Sequence, residues 1–456
     1  MFSLAEQMAG LERLLPEFFL LFGIVASLII GMLCSNTEKS IGLIIYCIVI
    51  ISIVSNFSFE AVPVMGMLKI NGFTQALKIL FAVSGWLTIL LQKEKQSASY
   101  YLLLHGLILG AFFMVMSTHL IMFIVTFETV SLTAYMLAGY DNSRRGAEGS
   151  VKYFLLGATA TAIMIFGMSL FIPFVGEENI PSPVFVFAVV LFLVGLLFKI
   201  GAVPLHFWIP DIYASAPLPV VALLSVVPKI AGIAAIINFY SLFASLCSPQ
   251  VLNHMIALIA IATIIVGVLG ALMQKEIMRM MAWSSIAQSG FMLIAALTHP
   301  TGGISALLLY GAVLLLANYS VFFSLQSFGS TAFSELSDIK IIPAFCSFAG
   351  LLALIGLPPT GGLFAKLILF SSLWNFGIVG HPVLIALLAA GLVSAAASAF
   401  FYFKIPYYIF VKNNMRRSLE MSLADGVNLA LAILLLLLFF CPQTLVQFFD
   451  KIGLGF

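Results

Sequence analysis

The amino-acid sequence predicts an all-helical protein embedded in a membrane, and three observations carry that prediction. Hydrophobic residues make up 62% of the 456 positions and charged residues only 8%, whereas soluble domains run at roughly a quarter charged. The apolar residues gather into runs of about twenty, the length that crosses a hydrocarbon core as a helix. Barrel strands would alternate apolar and polar residues over about ten positions, and that alternation is missing.

Walking the chain with a ruler of about twenty residues predicts about 14 transmembrane helices. They cover residues 17–34, 40–58, 72–92, 99–116, 118–139, 149–174, 184–209, 214–243, 250–273, 279–297, 303–327, 341–375, 383–411 and 426–447. Ahead of the first apolar run stand Glu6, Glu12 and Arg13; the basic start of a signal peptide is absent, so the first span is expected to be retained. With the N-terminus outside, the inner connections hold Lys39, Lys93, Lys95, Arg144, Arg145, Lys275, Arg279, Lys340, Lys412, Arg416 and Arg417, against Arg13, Lys69 and Lys451 outside. Basic residues accumulate on the cytoplasmic side, so this bias predicts both termini on the outer face.

A net charge of +2 with no concentrated basic face argues against a nucleic-acid partner. Cys34, Cys47, Cys247, Cys346 and Cys441 are scattered, with no spacing that would hold a metal or cluster, so no metal is expected.

Two spans are interrupted. The seventh reads LLFKIGAVPLHFWIPDIY, with Gly201, Pro204 and Pro210, and the twelfth reads LIGLPPTGGLFAK, with Pro358 and Pro359. Proline removes a backbone donor and clashes with the preceding turn, so each stretch is a discontinuous helix. Irregular backbone at membrane depth is tolerated only inside protein or beside a watery cavity, where it marks an ion or substrate path. The broken helices stand five apart and therefore run in opposite directions. That predicts an inverted five-helix repeat, helices 4–8 against 9–13, in four segments: 1–97 with three spans, 98–248 and 249–412 as the two repeats, and 413–456 with the last span. Lys199 precedes its break and Lys366 follows its own, so the repeat is one of architecture, not of residue identity.

Six lysines lie in or beside apolar runs: Lys78, Lys152, Lys199, Lys229, Lys366 and Lys404, with Glu128 as the one acidic residue clearly so placed. A charge inside a bilayer costs at least a few kcal/mol and is by default a functional candidate.

The segments VKYFLLGATATAIMIFGMSL, FKIGAVPLHFWIPDIYASAPLPVVALLSVVPKIA, MAWSSIAQSGFML and GLPPTGGLFAK resemble the antiporter-like subunits of respiratory complex I, the type I NADH:quinone oxidoreductase, most nearly bacterial subunit N, the counterpart of mitochondrial subunit 2. The resemblance runs from about residue 12 to residue 410. Subunit M is similar but usually carries glutamate where Lys366 stands, and subunit L is longer.

The resemblance implies a proton channel with no redox centre of its own, in a bacterial inner membrane. It implies partners among the homologous subunits M and L and small subunits such as K, with NADH, FMN, iron-sulfur clusters and quinone bound elsewhere in the complex. It also implies a proton relay: Glu128 ion-paired with Lys199, Lys229 passing the proton along, and Lys366 facing the outer side. The chemistry suits these groups. Desolvation disfavours a lysine's charged form and a nearby carboxylate restores it, so making or breaking a pair switches proton holding.

Blander roles stand beside these. Glu128 and Lys199 could form a static buried pair. Lys404 is either a relay member or a side chain reaching for the headgroups, Lys152 reads as an interfacial anchor, and Lys78 as structural. His206 in the first break either relays protons or holds the loop. Ser284, Ser285, Gln288 and Ser289 either order a water chain between Lys229 and Lys366 or bond helices together. Asp211 reads as the cap of the eighth span. A Mrp-type sodium/proton antiporter component and a structural membrane spacer are the alternative functions.

Overall fold

The structure is a computed structural model that describes residues 10–33, 37–141, 143–174, 183–330, 332–333, 336, 339–378, 380–412, 415–416 and 421–454. Glu6, Cys34, Arg417 and the acidic pair Glu335 and Asp338 lie outside the described residues.

Each expected span is helical. The first six are Leu15–Leu33, Glu38–Ser55, Gly72–Leu91, Ala98–Met116, Leu120–Ala138 and Arg144–Phe171. Asn71 opens the third with a reciprocal capping box to Thr74, and Ser143 caps the sixth through the Gly146 amide. Spans nine to eleven are Pro249–Leu272, Ile277–Leu297 and Gly303–Phe328, and the thirteenth runs over Pro382–Lys412. Among the described residues 13 helices are long and apolar enough to cross a membrane. The twelfth span escapes that count because it is split into Ile341–Ile355 and Gly361–Asn375.

The breaks share one local design. In the seventh span Pro183–Ile200 ends at Gly201, φ +70°, and the helix resumes as Trp208–Ser215. In the twelfth, Ile355 is followed by Gly356 at φ +89°. Left-handed glycine ends an α-helix without the cost a Cβ would impose. Three residues beyond each glycine stands a cis proline, Pro204 or Pro359.

Three boundaries differ from expectation. The eighth span is not continuous: Leu218–Leu224 stops, Ser225 and Val226 intervene, and Val227–Asn238 continues with Pro228 in its first turn. A proline lacking its N–H fits a helix start better than a helix interior. Asp211 does not cap this span, which begins after Pro217 without a side-chain cap; it lies in the first turn of Trp208–Ser215 instead. The last span, Leu423–Phe440, ends before Pro442, which starts a separate helix, Pro442–Leu454. A short hairpin also forms between spans two and three, β1 Val62–Val64 against β2 Leu68–Ile70. Met65 and Gly66, at φ +52° and +67°, supply the positive angles that a tight hairpin turn requires.

Spans eight, ten and eleven form the centre, buried along 100%, 94% and 89% of their apolar stretches, against 33% for the first and 28% for the thirteenth. Spans nine and ten touch backbone to backbone: a Cβ on Gly267 would stand 2.5 Å from the Ala287 nitrogen, and one on Gly290 2.9 Å from that of Ile264. Gly267→Leu should push the tenth span out of place and cost about 2–3 kcal/mol, read as a lower thermal transition in detergent, whereas Gly426→Leu, in open space, should cost far less.

Candidate functional site

The tenth span carries the polar groups of the centre. Ser285, Gln288 and Ser289 fall three and four residues apart on one helix face. Lys229, 1% exposed, reaches that face from the eighth span just past its interruption. Its ammonium donates to the Ser285 carbonyl at 2.8 Å, the Ser285 hydroxyl at 2.5 Å and the Ser289 hydroxyl at 3.1 Å. An ammonium has three donors, so this one is fully met without a carboxylate.

The same face of the tenth span touches both broken helices. Ser289 Oγ donates to the Ile200 carbonyl at 2.6 Å, next to Lys199 at the end of the first half of span seven. On the other side Gln288 Nε2 donates to the Leu354 carbonyl at 3.4 Å and to Tyr402 at 3.2 Å, while Gln288 Oε1 accepts from the Tyr310 hydroxyl. Lys366 shares that carbonyl: its ammonium donates to Leu354 O at 2.9 Å and Ile355 O at 2.6 Å. These belong to the last turn of Ile341–Ile355, where carbonyls lack helical partners and the dipole is negative. Lys366 thus folds back from the second half of its span to cap the first. The Phe291 ring lies 4.9 Å from the same nitrogen, within cation–π reach.

Lys199 is 1% exposed. It donates to Ser131 Oγ at 2.5 Å and Phe127 O at 3.3 Å, and lies 4.6 Å from the Phe127 ring. The expected ion pair with Glu128 is not closed, since no contact within 4 Å joins the two. Residues 127 and 131 share the face of the fifth span that meets Lys199, whereas position 128 is turned by about 100°. Glu128, half-buried, accepts from Thr161 of the sixth span at 2.6 Å.

The remaining candidates divide. Ser285 belongs to the central network, and so does Tyr213, whose hydroxyl donates to Ser285 Oγ at 2.8 Å. His206, 5% exposed in the first break, lies 5.3 Å from the Trp283 ring, and its Nδ1 has no partner among the described residues. Lys404 donates to the carbonyls of Leu272 at 2.8 Å and Gln274 at 3.4 Å, closing the end of the ninth span. Lys152 is 55% exposed and paired with Glu148, one turn away, at 2.7 Å. Lys78 is buried against Glu17 of the first span at 2.5 Å, so Glu128 is not the one buried acid.

Sequence reasoning missed Glu17, Tyr213, Tyr310 and Tyr402. It also missed the carbonyls of Ile200, Leu354 and Ile355, although a broken helix implies free carbonyls at its break.

A polytopic bundle with ionisable groups gathered at two broken helices defines a membrane protein of the ion-translocating class. The family model for NADH:quinone oxidoreductase/Mrp antiporter transmembrane proteins matches residues 117–394. NADH-quinone oxidoreductase subunit N of Chlorobium chlorochromatii is 32% identical over 77% of this chain and 75% of its own length. Respiratory complex I from Thermus thermophilus contains a chain with TM-score 0.83 and 27% identity, covering 95% of this chain and 99% of its own. The Mrp complex from Dietzia sp. contains one at TM-score 0.79 and 17% identity, covering 97% of each, a likeness of fold. The chain belongs to the NADH:quinone oxidoreductase/Mrp antiporter transmembrane family.

The contacts of Lys404 predict a structural role. Lys404→Met should leave the ninth span's last carbonyls without their charged donor and lower stability by about 1–3 kcal/mol, seen as a lower thermal transition, with proton translocation by the assembled protein retained.

Proposed function

We propose that this chain is a membrane-arm subunit of an NADH:quinone oxidoreductase, translocating protons through Lys199, Lys229 and Lys366 while NADH oxidation and quinone reduction take place in other subunits. The observation that carries the reading is the joined row itself. Three buried lysines from three spans stand around one face of the tenth span: Lys229 donates to Ser285 and Ser289, Ser289 donates to the carbonyl of Ile200 beside Lys199, and Gln288 shares the Leu354 carbonyl with Lys366. A redox centre in this chain is not part of the proposal: NADH, FMN, iron-sulfur clusters and quinone are assigned to partners, subunits M, L and K among them.

The geometry supports a charge relay. A proton on Lys229 is held by three neutral acceptors, with no countercharge to trap it. Charges on neighbouring lysines repel strongly in a low-dielectric interior, so loading one favours unloading the next. Glu128 is the adjustable partner. Turned to Thr161, it leaves Lys199 to neutral acceptors; swung towards Lys199, it would favour the charged form there and bias the row. Moving one charge against the membrane potential costs about 2.3 kcal/mol per 100 mV, within reach of such a switch. The excess of basic residues in the inner connections favours both termini on the outer face of a bacterial inner membrane, with Lys229 in the first of two inverted repeats, 98–248, and Lys366 in the second, 249–412.

The relatives named NADH-quinone oxidoreductase subunit N favour this reading over a Mrp-type antiporter component. Purification distinguishes the two: flavin and iron-sulfur subunits should co-isolate with the chain, and isolation with antiporter subunits alone would overturn the assignment. In the assembled complex reconstituted into liposomes, Lys199→Ala and Lys229→Met should each at least halve proton translocation per electron. Normal translocation in both would return the row to a structural role. Single cysteines replacing Lys95 and Lys451 should react with a membrane-impermeant thiol reagent from the inner and outer side respectively.

A further inference from the structure

The central row leaves one buried ion pair unused. Glu17 and Lys78 are 2% and 1% exposed and 2.5 Å apart, and apart from the ammonium neither carboxylate oxygen has a hydrogen-bond partner among the described residues. An ion pair removed from water needs further hydrogen bonds to repay desolvation; without them an apolar pair of the same volume is often as stable or more so. Structural need therefore accounts poorly for these charges. Arg13, one turn before Glu17, also buries a guanidinium nitrogen without a partner among the described residues.

Other buried polar atoms without a partner among the described residues lie further along the same helices. Ser27 lies about 15 Å further along the first span, on the face of Leu20; it is 1% exposed and its hydroxyl has no partner among the described residues. The fourth span, which packs on the first, runs the opposite way and carries His105 at a similar depth, about 16 Å from its end at Met116. His105 is fully buried; its Nδ1 stands 3.2 Å from the Tyr46 hydroxyl and its Nε2 has no partner among the described residues. The third span joins the two levels. Lys78 Nζ lies 5.9 Å from the Phe112 ring; two turns on, Gly85 leaves room for the Tyr46 hydroxyl, which an added Cβ would approach to 2.6 Å. Beside and beyond Gly85, Ser84 and Thr88 each stand 2.7 Å from the Tyr319 hydroxyl. Past them Gln92 and Tyr100 border a cavity of about 470 Å³ whose lining includes Lys93, Glu94 and Lys95.

We propose that Glu17 and Lys78 form a second proton-binding site, built between the first and third helices, apart from the central row. Transfer of one proton from the Lys78 ammonium to the Glu17 carboxylate yields an amine and a carboxylic acid with no change in net charge. The site then takes up a further proton on the amine or gives one up from the acid. His105, with one nitrogen 3.2 Å from Tyr46 and the other without a partner among the described residues, stands further along the bundle, between the level of this pair and that of the cavity. The charged and titratable groups on the surrounding elements are Arg13, one turn before Glu17, and, level with Gly85, Tyr46 of the second span with His105 of the fourth.

The inference rests on the reading that this chain moves protons, and its test separates the two. Infrared difference spectra of the purified complex between neutral and acid pH should contain a protonated-carboxyl C=O band that Glu17→Gln removes; an unchanged spectrum overturns the proposal whatever the central row does. In liposomes the charge-free double variant Glu17→Leu with Lys78→Met should assemble and move fewer protons per electron. A wild-type ratio in that assembled variant overturns the proposal too, while Lys229→Met reports on the central row alone. Should the double variant not assemble, the infrared result for Glu17→Gln decides.

Discussion

An ammonium group held inside a membrane protein must be met by oxygen atoms, and the arrangement of this chain follows from where those oxygens come from. Glu128 does not meet the central lysines. Most of the acceptors are neutral: the hydroxyls of Ser131, Ser285 and Ser289 and the carbonyls of Phe127, Ser285, Leu354 and Ile355. Two of these carbonyls exist as free acceptors only because the twelfth span stops at Gly356, and the Ile200 carbonyl accepts from Ser289 because the seventh stops at Gly201. The breaks are therefore the source of the polar groups that make a buried cation tolerable. Neutral acceptors also hold an ammonium less firmly than a carboxylate would, which suits groups that must release a proton.

The tenth span brings both breaks against one helix face. It presents Ser285, Gln288 and Ser289 to the centre, and its close approach to the ninth span at Gly267 and Gly290 sets the position of that face. Tyr213, Tyr310 and Tyr402 close around it from spans seven, eleven and thirteen. A shift of the tenth span by a fraction of a turn would separate Lys229 from both serines.

Much of this was legible in order and kind. The spans, both breaks and the three central lysines could be named from runs of apolar residues interrupted by Gly-x-x-Pro and a nearby charge. Glu17 was not, because it stands at the first residue of the first predicted span, where an acid is read as facing water; only packing against Lys78 of the third span buries it. Pro228 was read through because the apolar run continues past it. The tyrosines were invisible for a different reason, since an apolar ring with one hydroxyl is spaced like any core residue and its partner is chosen by another helix. The Glu128–Lys199 pairing needed a rotational setting that no spacing encodes: positions 127, 128 and 131 are all within reach of a neighbouring helix until packing selects one face.

Local sequence by itself determined the membrane class, the number of spans, the two discontinuities and the identity of the buried cations, because each depends on hydrophobic length, proline's missing donor or glycine's left-handed angle. Tertiary structure alone decided which acceptor each cation meets. Lys366 caps its own half-helix, Lys229 lies on the serines of the tenth span, Lys199 bonds Ser131 in place of Glu128, and Lys78 finds Glu17. Those partners are tens of residues apart, apart from Lys366 and its own half-helix, and are brought together by helix rotation and depth in the bundle. Burial then requires each charge to be met, and the packing fixes which atom meets it.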